Sequence, residues 1–466
     1  MPGTRVAGRA YAVPARQVEF IADITAADAY GHPVVSQAIF DRVLAIVRAA
    51  REFVVLDYFL FNGEPSTATD SPAPLRRISQ ELRDALIERR RAVPALQVLL
   101  ITDPINEIYG AAPSSDFAAL RAAGIDIAVT DVARLRDSNF LYSSLWRLTV
   151  GWWGARGAGA GSFANPLASG PRHITLASAL QLANFKANHR RTIIADDGHD
   201  DLVGIIGSAD PHDVSSAYSN IAVKVRGPVL EPLLASELAI AAASGWRGSI
   251  GPAQSPAPAL RARLDDHTAL VSIVTEGSTR DALLAHIDAA VRGDFIDIAM
   301  STISDRTFIE SLLAANARGV AVRIILDPST SGPGDTRSSL PNGPVASELM
   351  TASDGAVHLR WYRTHGEAFH SKLVMISSPE RVWATLGSAD LTRRALEDYD
   401  LTANVTLEVA REAPLALQMS DYFETLWSNR ALLGIEYSAD FGVYADSTQS
   451  SYWVYRLMES TGLAGF

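Results

Sequence analysis

Residues 187–210 read ANHRRTIIADDGHDDLVGIIGSAD, and residues 368–390 read AFHSKLVMISSPERVWATLGSAD. Each stretch has a histidine, a cation two positions on, an apolar run, a polar turn, a second apolar run and the tetrapeptide GSAD. Short apolar runs rich in Ile and Val, bounded by Asp, Gly, Ser and Pro, predict buried strands joined by a turn. A histidine therefore stands just ahead of the first strand in both copies.

The repeat extends well beyond these segments. Ahead of His370 lie a helix pattern (278–293), a strand (295–303), a helix (306–319), a strand ending ILDP (320–328) and a further strand (355–364). Ahead of His189 the same order recurs: helix 35–52, strand 53–61, helix 74–92, a strand ending ITDP (96–104), then a helix and strand over 116–132. The helices are recognised by apolar spacing of three and four, as in Ile39, Val43, Ile46 and Val47. The strands are apolar throughout, as expected of a sheet covered on both faces. Asp103 to His189 spans about twice the chain that separates Asp327 from His370, so the first half carries an insertion around 134–172. The stretch GSIGPAQSPAPALRARLDDH at 248–267 reads as a linker. The expected organisation is an α/β chain of two pseudo-two-fold-related α/β/α lobes, residues 1–254 and 255–466.

Bulk composition restricts the chemistry. With 466 residues, 48% of them hydrophobic and 20% charged, the chain has the profile of a globular protein. It has no cysteine, which removes disulfides, thiolate nucleophiles and cysteine-ligated metals. Neither a signal peptide nor a membrane span is visible, and the reading is cytoplasmic. A formal net charge of −11 opposes sequence-independent binding of polyanions and argues against nucleic acid.

Two matched histidines suit phosphodiester chemistry. If the lobes pack about a two-fold axis, His189 and His370 face each other across one cleft, and in-line displacement at phosphorus needs groups on opposite sides. One imidazole attacks to form a phosphohistidine while the other protonates the leaving oxygen and then deprotonates the incoming water or alcohol. Arg191 and Lys372, two positions past each histidine, point the same way from a strand and neutralise the non-bridging oxygens. Ser208 and Ser388 of the GSAD turns are candidate donors to the same oxygens. The mechanism calls on no metal and no cofactor.

The pattern H-x-K, four residues, D, then a downstream G-S, twice in one chain, resembles the phospholipase D superfamily, especially its cardiolipin-synthase-like branch. The resemblance covers nearly the whole length. It implies the two-lobed fold, the phosphohistidine mechanism and a monomer. Carried over by residue, it implies His189, Arg191 and Asp196 as catalytic, with Ser208 and Asn220 at the phosphate. From the second copy it implies His370, Lys372, Ser388 and Asp400, with His189 as nucleophile and His370 as acid. Three departures stand out: Arg191 where the family has lysine, Ser377 where the second motif has aspartate, and aspartates at 210, 390 and 400 where asparagine is common.

The insertion holds Trp146, Trp152 and Trp153 among apolar and basic residues, a composition suited to a bilayer's headgroup region and peripheral membrane contact. It fits equally a lid packed on the core. The C-terminal SSYWVYRLMESTGLAGF is an amphipathic tail. GARGAGAG at 154–161 lacks the strand and the G-K-S/T of a nucleotide loop, and DDGHDD at 196–201 falls in a turn. His212 directly follows the first GSAD and is a candidate substrate contact. The resulting reading is a phosphodiesterase or phosphatidyltransferase acting on phospholipid. A nuclease of the same fold and a catalytically degenerate lipid- or phosphate-binding scaffold stand as alternatives.

Overall fold

The computed structural model describes residues 1–63, 75–110, 113–137, 163–164, 173–175, 178, 186–199, 201–251, 267–328, 340–430, 434–445 and 448–461. The first half contributes strands β1 (Tyr11–Pro14), β2 (Val18–Ala27), β3 (Pro33–Ser36), β4 (Phe53–Tyr58), β5 (Gln97–Thr102) and β6 (Asp126–Val129). A two-stranded ribbon, β7 (Phe163–Ala164) and β8 (His173–Ile174), is followed by β9 (Arg191–Asp196), β10 (Leu202–Gly207) and β11 (Asn220–Arg226). The second half contributes β12 (Thr268–Thr275), β13 (Phe295–Met300), β14 (Ala321–Leu326), β15 (Val357–Tyr362), β16 (Lys372–Ser377), β17 (Arg381–Gly387), β18 (Ala403–Ala410) and β19 (Ser438–Asp440).

Two mixed sheets result, in the orders β3-β2-β11-β10-β9-β4-β5-β6 and β1-β12-β18-β17-β16-β13-β14-β15-β19. The runs β2-β11-β10-β9-β4-β5-β6 and β12-β18-β17-β16-β13-β14-β15 are the same topology twice. In each, the last three strands are parallel and the pairing turns antiparallel at β9 or β16, the strand that follows the histidine. Every residue of β4, β9, β10 and β16 is buried, which is why apolar residues occupy both faces of these strands apart from a few buried polar and charged residues near their ends.

Local signals set the helices that cover them. Helix Ile39–Ala49 buries Ile39, Phe40, Val43, Leu44, Ile46 and Val47 on one face, and Asp23 accepts the orphan N–H groups of Ala38 and Ile39 at its start. Helix Arg306–Ala317 starts at Asp305, whose carboxylate accepts the Phe308 N–H at 2.8 Å, and stops before Gly319 at φ +92. Three apolar cores follow: one outside each sheet and a central one shared by both halves, where Ile221, Val223 and Val225 of β11 join Leu386, Val405 and Leu407 of the second sheet.

One boundary differs from the sequence reading. The first strand of the expected N-terminal lobe, β1, pairs with β12 on the edge of the second sheet, and Ala15 N–H donates to the His267 carbonyl at 2.7 Å. The halves are laced together by the N-terminus. No helix among the described residues is long and apolar enough to cross a membrane.

Candidate active site

The two histidine segments cross the interface between halves. His189 N–H donates to the Leu401 carbonyl and His370 N–H to the Ser219 carbonyl, both at 2.8 Å, and each forms part of an isolated parallel bridge. Each segment is also anchored from beneath by the aspartate of its own Asp-Pro turn. Asp103 Oδ2 accepts the Asn188 N–H at 2.7 Å, and Asp327 Oδ2 accepts the Phe369 N–H at 2.5 Å. ITDP and ILDP were visible as a repeat. Their function, gripping the residue before each histidine, follows only from the packing. Burial pushes the Asp103 carboxyl up to about 7.

Both rings keep partial exposure, and both are held well below the usual imidazole range. For His189 the causes are burial first, then the charges of Arg191, Lys372, His370 and Arg394. For His370 they are burial, then Lys372 and Arg191, opposed by a hydrogen bond to the Ser208 backbone. Each ring feels the cations of both halves, so the two motifs form one electrostatic unit.

The surroundings of the rings are not symmetric. His189 lies between the Phe59 ring, with centroids 4.8 Å apart, and the Arg191 guanidinium, whose Nη1 and Nη2 are 3.2 Å from Nδ1 and Nε2. His370 instead meets Asn220 Oδ1 with its Nδ1 at 3.0 Å, a bond made across the interface.

The GSAD aspartates take the cations. Arg191 Nε donates to Asp210 Oδ2 at 2.7 Å with both side chains buried, and Lys372 Nζ pairs with Asp390 Oδ2. Burial, only partly offset by Asp390, lowers the Lys372 ammonium to about 8. Arg394, which the sequence reading passed over within LTRRALEDYD, contributes a third cation near His189 and donates to Asp400 Oδ1 at 2.8 Å.

Several expected site residues have other work. Asp196 lies at the far end of β9 from His189. Its carboxylate accepts N–H groups from Arg51, Glu52, Phe53 and Gly198, so it builds the turn into β4 and does not join the cleft. In the second half, Asp294 closes the equivalent turn by accepting the Val291 N–H at 2.9 Å, so Ser377 costs that half no cleft carboxylate. Ser208 Oγ accepts the Ile221 N–H and donates to Asn220 Oδ1, and Ser388 Oγ accepts the Ala403 N–H. Both serines fix the strand that follows, and Ser208 also commits its hydroxyl proton to Asn220. Asn220 is likewise consumed, its Nδ2 facing the Ser215 and Tyr218 carbonyls.

Asp400 is not the counterpart of Asn220. Ser208 N–H bonds to Ile221 and Ser388 N–H to Ala403, while the bridges pair Ser219 with the His370 segment and Leu401 with the His189 segment. Asn220 therefore corresponds to Thr402, because the second half has two extra residues in this connection, which forms the helix Arg393–Leu396. Asp400 accepts the Ala187 N–H and pairs with Arg394. His212 is engaged by Ser215 Oγ at 2.9 Å, and burial lowers it to about 4. Trp146, Trp152 and Trp153 lie outside the described residues. Among the described residues no group of three or more His, Asp or Glu is placed to hold a metal ion.

The paired histidine and cation segments thus stand at equivalent places on two mixed sheets of the same topology. Residues 283–427 match the family described as "Cardiolipin synthase, PLD-like domain". Phosphatidylserine synthase from Haemophilus influenzae Rd KW20 matches over 97% of this chain and 96% of its own, at 12% identity and a TM-score of 0.52. Polyphosphate kinase from Porphyromonas gingivalis (12% identity, 96% of this chain and 54% of that one, TM-score 0.45) is more distant. So is Nuc, a phospholipase D family member from Salmonella typhimurium (20%, 37% and 97%, TM-score 0.28). No curated protein matches by sequence. Residues 283–427 thus match a PLD-like domain of the cardiolipin synthase type, and the whole chain shares the fold of the phosphatidylserine synthase structure.

Proposed function

We propose that the protein is a phosphodiesterase or phosphatidyltransferase acting on phospholipids through His189 and His370. The observation that carries the reading is the trans-interface placement of the two histidines: each is clamped to the opposite half through its backbone, and each ring is depressed by the cations of both halves. A phosphodiester bound there meets Arg191 and Lys372 at its non-bridging oxygens. Its negative charge raises the pKa of one imidazole enough to make it a proton donor, while the other stays neutral and attacks phosphorus. The match to a cardiolipin-synthase-type domain supports a lipid diester over other phosphodiesters.

One observation favours a second reading. Each motif cation already sits in an ion pair with an aspartate, Asp210 or Asp390, which lowers the positive charge offered to a phosphate. That is the expected arrangement of a degenerate binding scaffold. Purified protein incubated with phosphatidylglycerol and phosphatidylcholine, with and without glycerol, separates the two. The enzyme reading expects lipid product by thin-layer chromatography, unaffected by EDTA, with His189→Ala and His370→Ala each at least about a hundredfold slower. Product from duplex or single-stranded DNA alone moves the protein to the nuclease branch, and product from nothing supports the scaffold.

A further inference from the structure

The segment that brings His189 and Arg191 to the cleft turns the residues between and beside them inward. Asn188 Nδ2 donates to both oxygens of Asp57, at 2.8 and 2.9 Å, and to Thr130 Oγ1 at 2.9 Å. Arg190 pairs with Glu237 and Glu276, and Thr192 Oγ1 donates to Glu237 at 2.8 Å. The second copy does the same work without charge. Phe369 stacks on Tyr362 with centroids 4.3 Å apart, Ser371 Oγ bonds to the Tyr422 hydroxyl, and Leu373 is buried. Strand register makes Ala299 the counterpart of Asp57, since Asp57 lies opposite Thr192 and Ala299 opposite Leu373.

A face of Phe, Ser and Leu therefore suffices to bury a histidine strand, and a buried carboxyl carries a desolvation cost that packing does not. What Asp57 adds is direction, because a hydrogen bond fixes an angle as well as a distance. With its backbone N–H on Asp103 at 2.7 Å, Asn188 is pinned through main chain and side chain together. Asp57 also meets Glu237 in a hydrogen bond between carboxyls, which needs one proton between the two. Glu237 stands 3.1 Å from the Arg190 guanidinium, whereas Asp57 forms no ion pair among the described residues, so the proton belongs on Asp57. Burial first and the Glu237 charge second push the Asp57 carboxyl well up, in agreement. Asp57 thus donates to Glu237 and accepts from Asn188.

We infer that Asp57 is a positioning residue for this site, acting as a hydrogen-bonding group rather than as a charge: it holds Asn188, and through Asn188 the angle at which His189 enters the cleft. This rests on the phosphodiesterase reading and adds a residue to it. Asp57 is fully buried and touches no substrate. Its effect is on the geometry of the reacting groups, where a displacement of about 1 Å costs about a hundredfold. Asparagine reproduces a protonated aspartate, since its Nδ2 can donate to Glu237 while its Oδ1 accepts from Asn188. Leucine can do neither.

The test uses the full chain and three variants. Asp57→Leu and Asn188→Leu are expected to lower kcat on phosphatidylglycerol by about tenfold or more with KM within about twofold, and the double variant to be no worse than either alone. Asp57→Asn is expected to keep kcat within about threefold. An Asp57→Asn as slow as Asp57→Leu overturns the inference, because charge would then be what the site requires, and so does a leucine variant at wild-type kcat. If Asp57→Leu does not fold, Asn188→Leu tests the same link from its other end. The ring signals of His189, assigned through His189→Gln in ¹H–¹⁵N spectra, give a second readout that needs no turnover. They are expected to move in both leucine variants and to stay in place in Asp57→Asn; unmoved signals in the leucine variants overturn the inference alone. A wild type without turnover on any phosphodiester, whose His189 signals still follow this pattern, overturns the phosphodiesterase reading and supports the positioning role.

Discussion

Arg190, which stands between His189 and the cation Arg191, is fully buried and ties three parts of the chain together. Its guanidinium donates to Ser236 Oγ at 2.9 Å, to the Thr4 carbonyl at 3.1 Å and to Glu276 at 2.6 Å, and lies 3.1 Å from Glu237. Glu237 and Glu276 are equally buried, and Asp57 adds a third carboxyl, pushed well up by burial and by Glu237. Replacing Arg190 by Met keeps an apolar stem and removes the one cation that pairs with these groups among the described residues. Removing one partner of a buried ion pair costs about 3–5 kcal/mol. A separate route gives the same size: a glutamate forced to stay protonated at pH 7, when it ionises near 4.3 in the unfolded chain, costs about 1.4 kcal/mol per pH unit, or roughly 3.7 kcal/mol. The sign follows from linkage. The raised carboxyl leaves the folded chain holding a proton that the unfolded chain releases, so the penalty grows as pH rises above about 4.3 and shrinks to roughly 1 kcal/mol near pH 5. Urea unfolding of wild type and Arg190→Met at both pH values measures it. A loss that is equal at pH 5 and pH 7 would mean that packing, not charge, is what Arg190 supplies, and the account of the network would fail.

Three further outcomes are expected. Because the Lys372 ammonium loses its proton near pH 8, KM for a phosphodiester should rise above that pH, and Lys372→Arg should move that limb to higher pH in steady-state profiles. Asp196→Ala should destabilise the fold by about 2–4 kcal/mol through the N–H groups it leaves unbonded, while kcat of the folded fraction stays within about twofold; a larger kcat loss would return Asp196 to the cleft. His212 titrates near 4 in the folded chain against 6.5 in the unfolded one, so it contributes stability that is lost as pH falls between those values, with a slope of about 1.4 kcal/mol per unit; His212→Gln should flatten acid unfolding in that window, and an unchanged slope would exclude it.

The duplicated architecture was legible because it is written in local patterns. Strands buried on both faces are apolar in their middles, as β10 is throughout and β9 and β16 are between the charged or polar residues at their ends. Helices covering them must show three-and-four spacing. The matched placement of Arg191 and Lys372, each two positions past a histidine at the start of a buried strand, was legible in the repeat itself. Spacing failed where the copies differ in length. Counting residues from the GSAD serines matched Asn220 with Asp400, but the two extra residues around the helix Arg393–Leu396 shift the register, and only the backbone bonds to Ser208 and Ser388 reveal Thr402 as the counterpart. The crossing of β1 to the second sheet was equally hidden, since edge pairing is decided by tertiary contact and YAVP carries no label for its partner.

The GSAD aspartates show why identity of residue type does not settle role. An asparagine at 210 or 390 would leave Arg191 and Lys372 with full charge in a desolvated cleft; the aspartates neutralise it within hydrogen-bonding distance. An incoming phosphodiester must then compete with a carboxylate already in place, yet the same carboxylate holds the cation in one geometry before substrate arrives. Which effect wins depends on whether Asp210 and Asp390 keep their partners when the ligand binds. Asp210 also accepts the Leu60 N–H at 3.1 Å and so has a second anchor, whereas Asp390 Oδ1 is buried without a hydrogen-bond partner among the described residues. The Lys372 side is therefore the one that can open towards a ligand, two positions past His370.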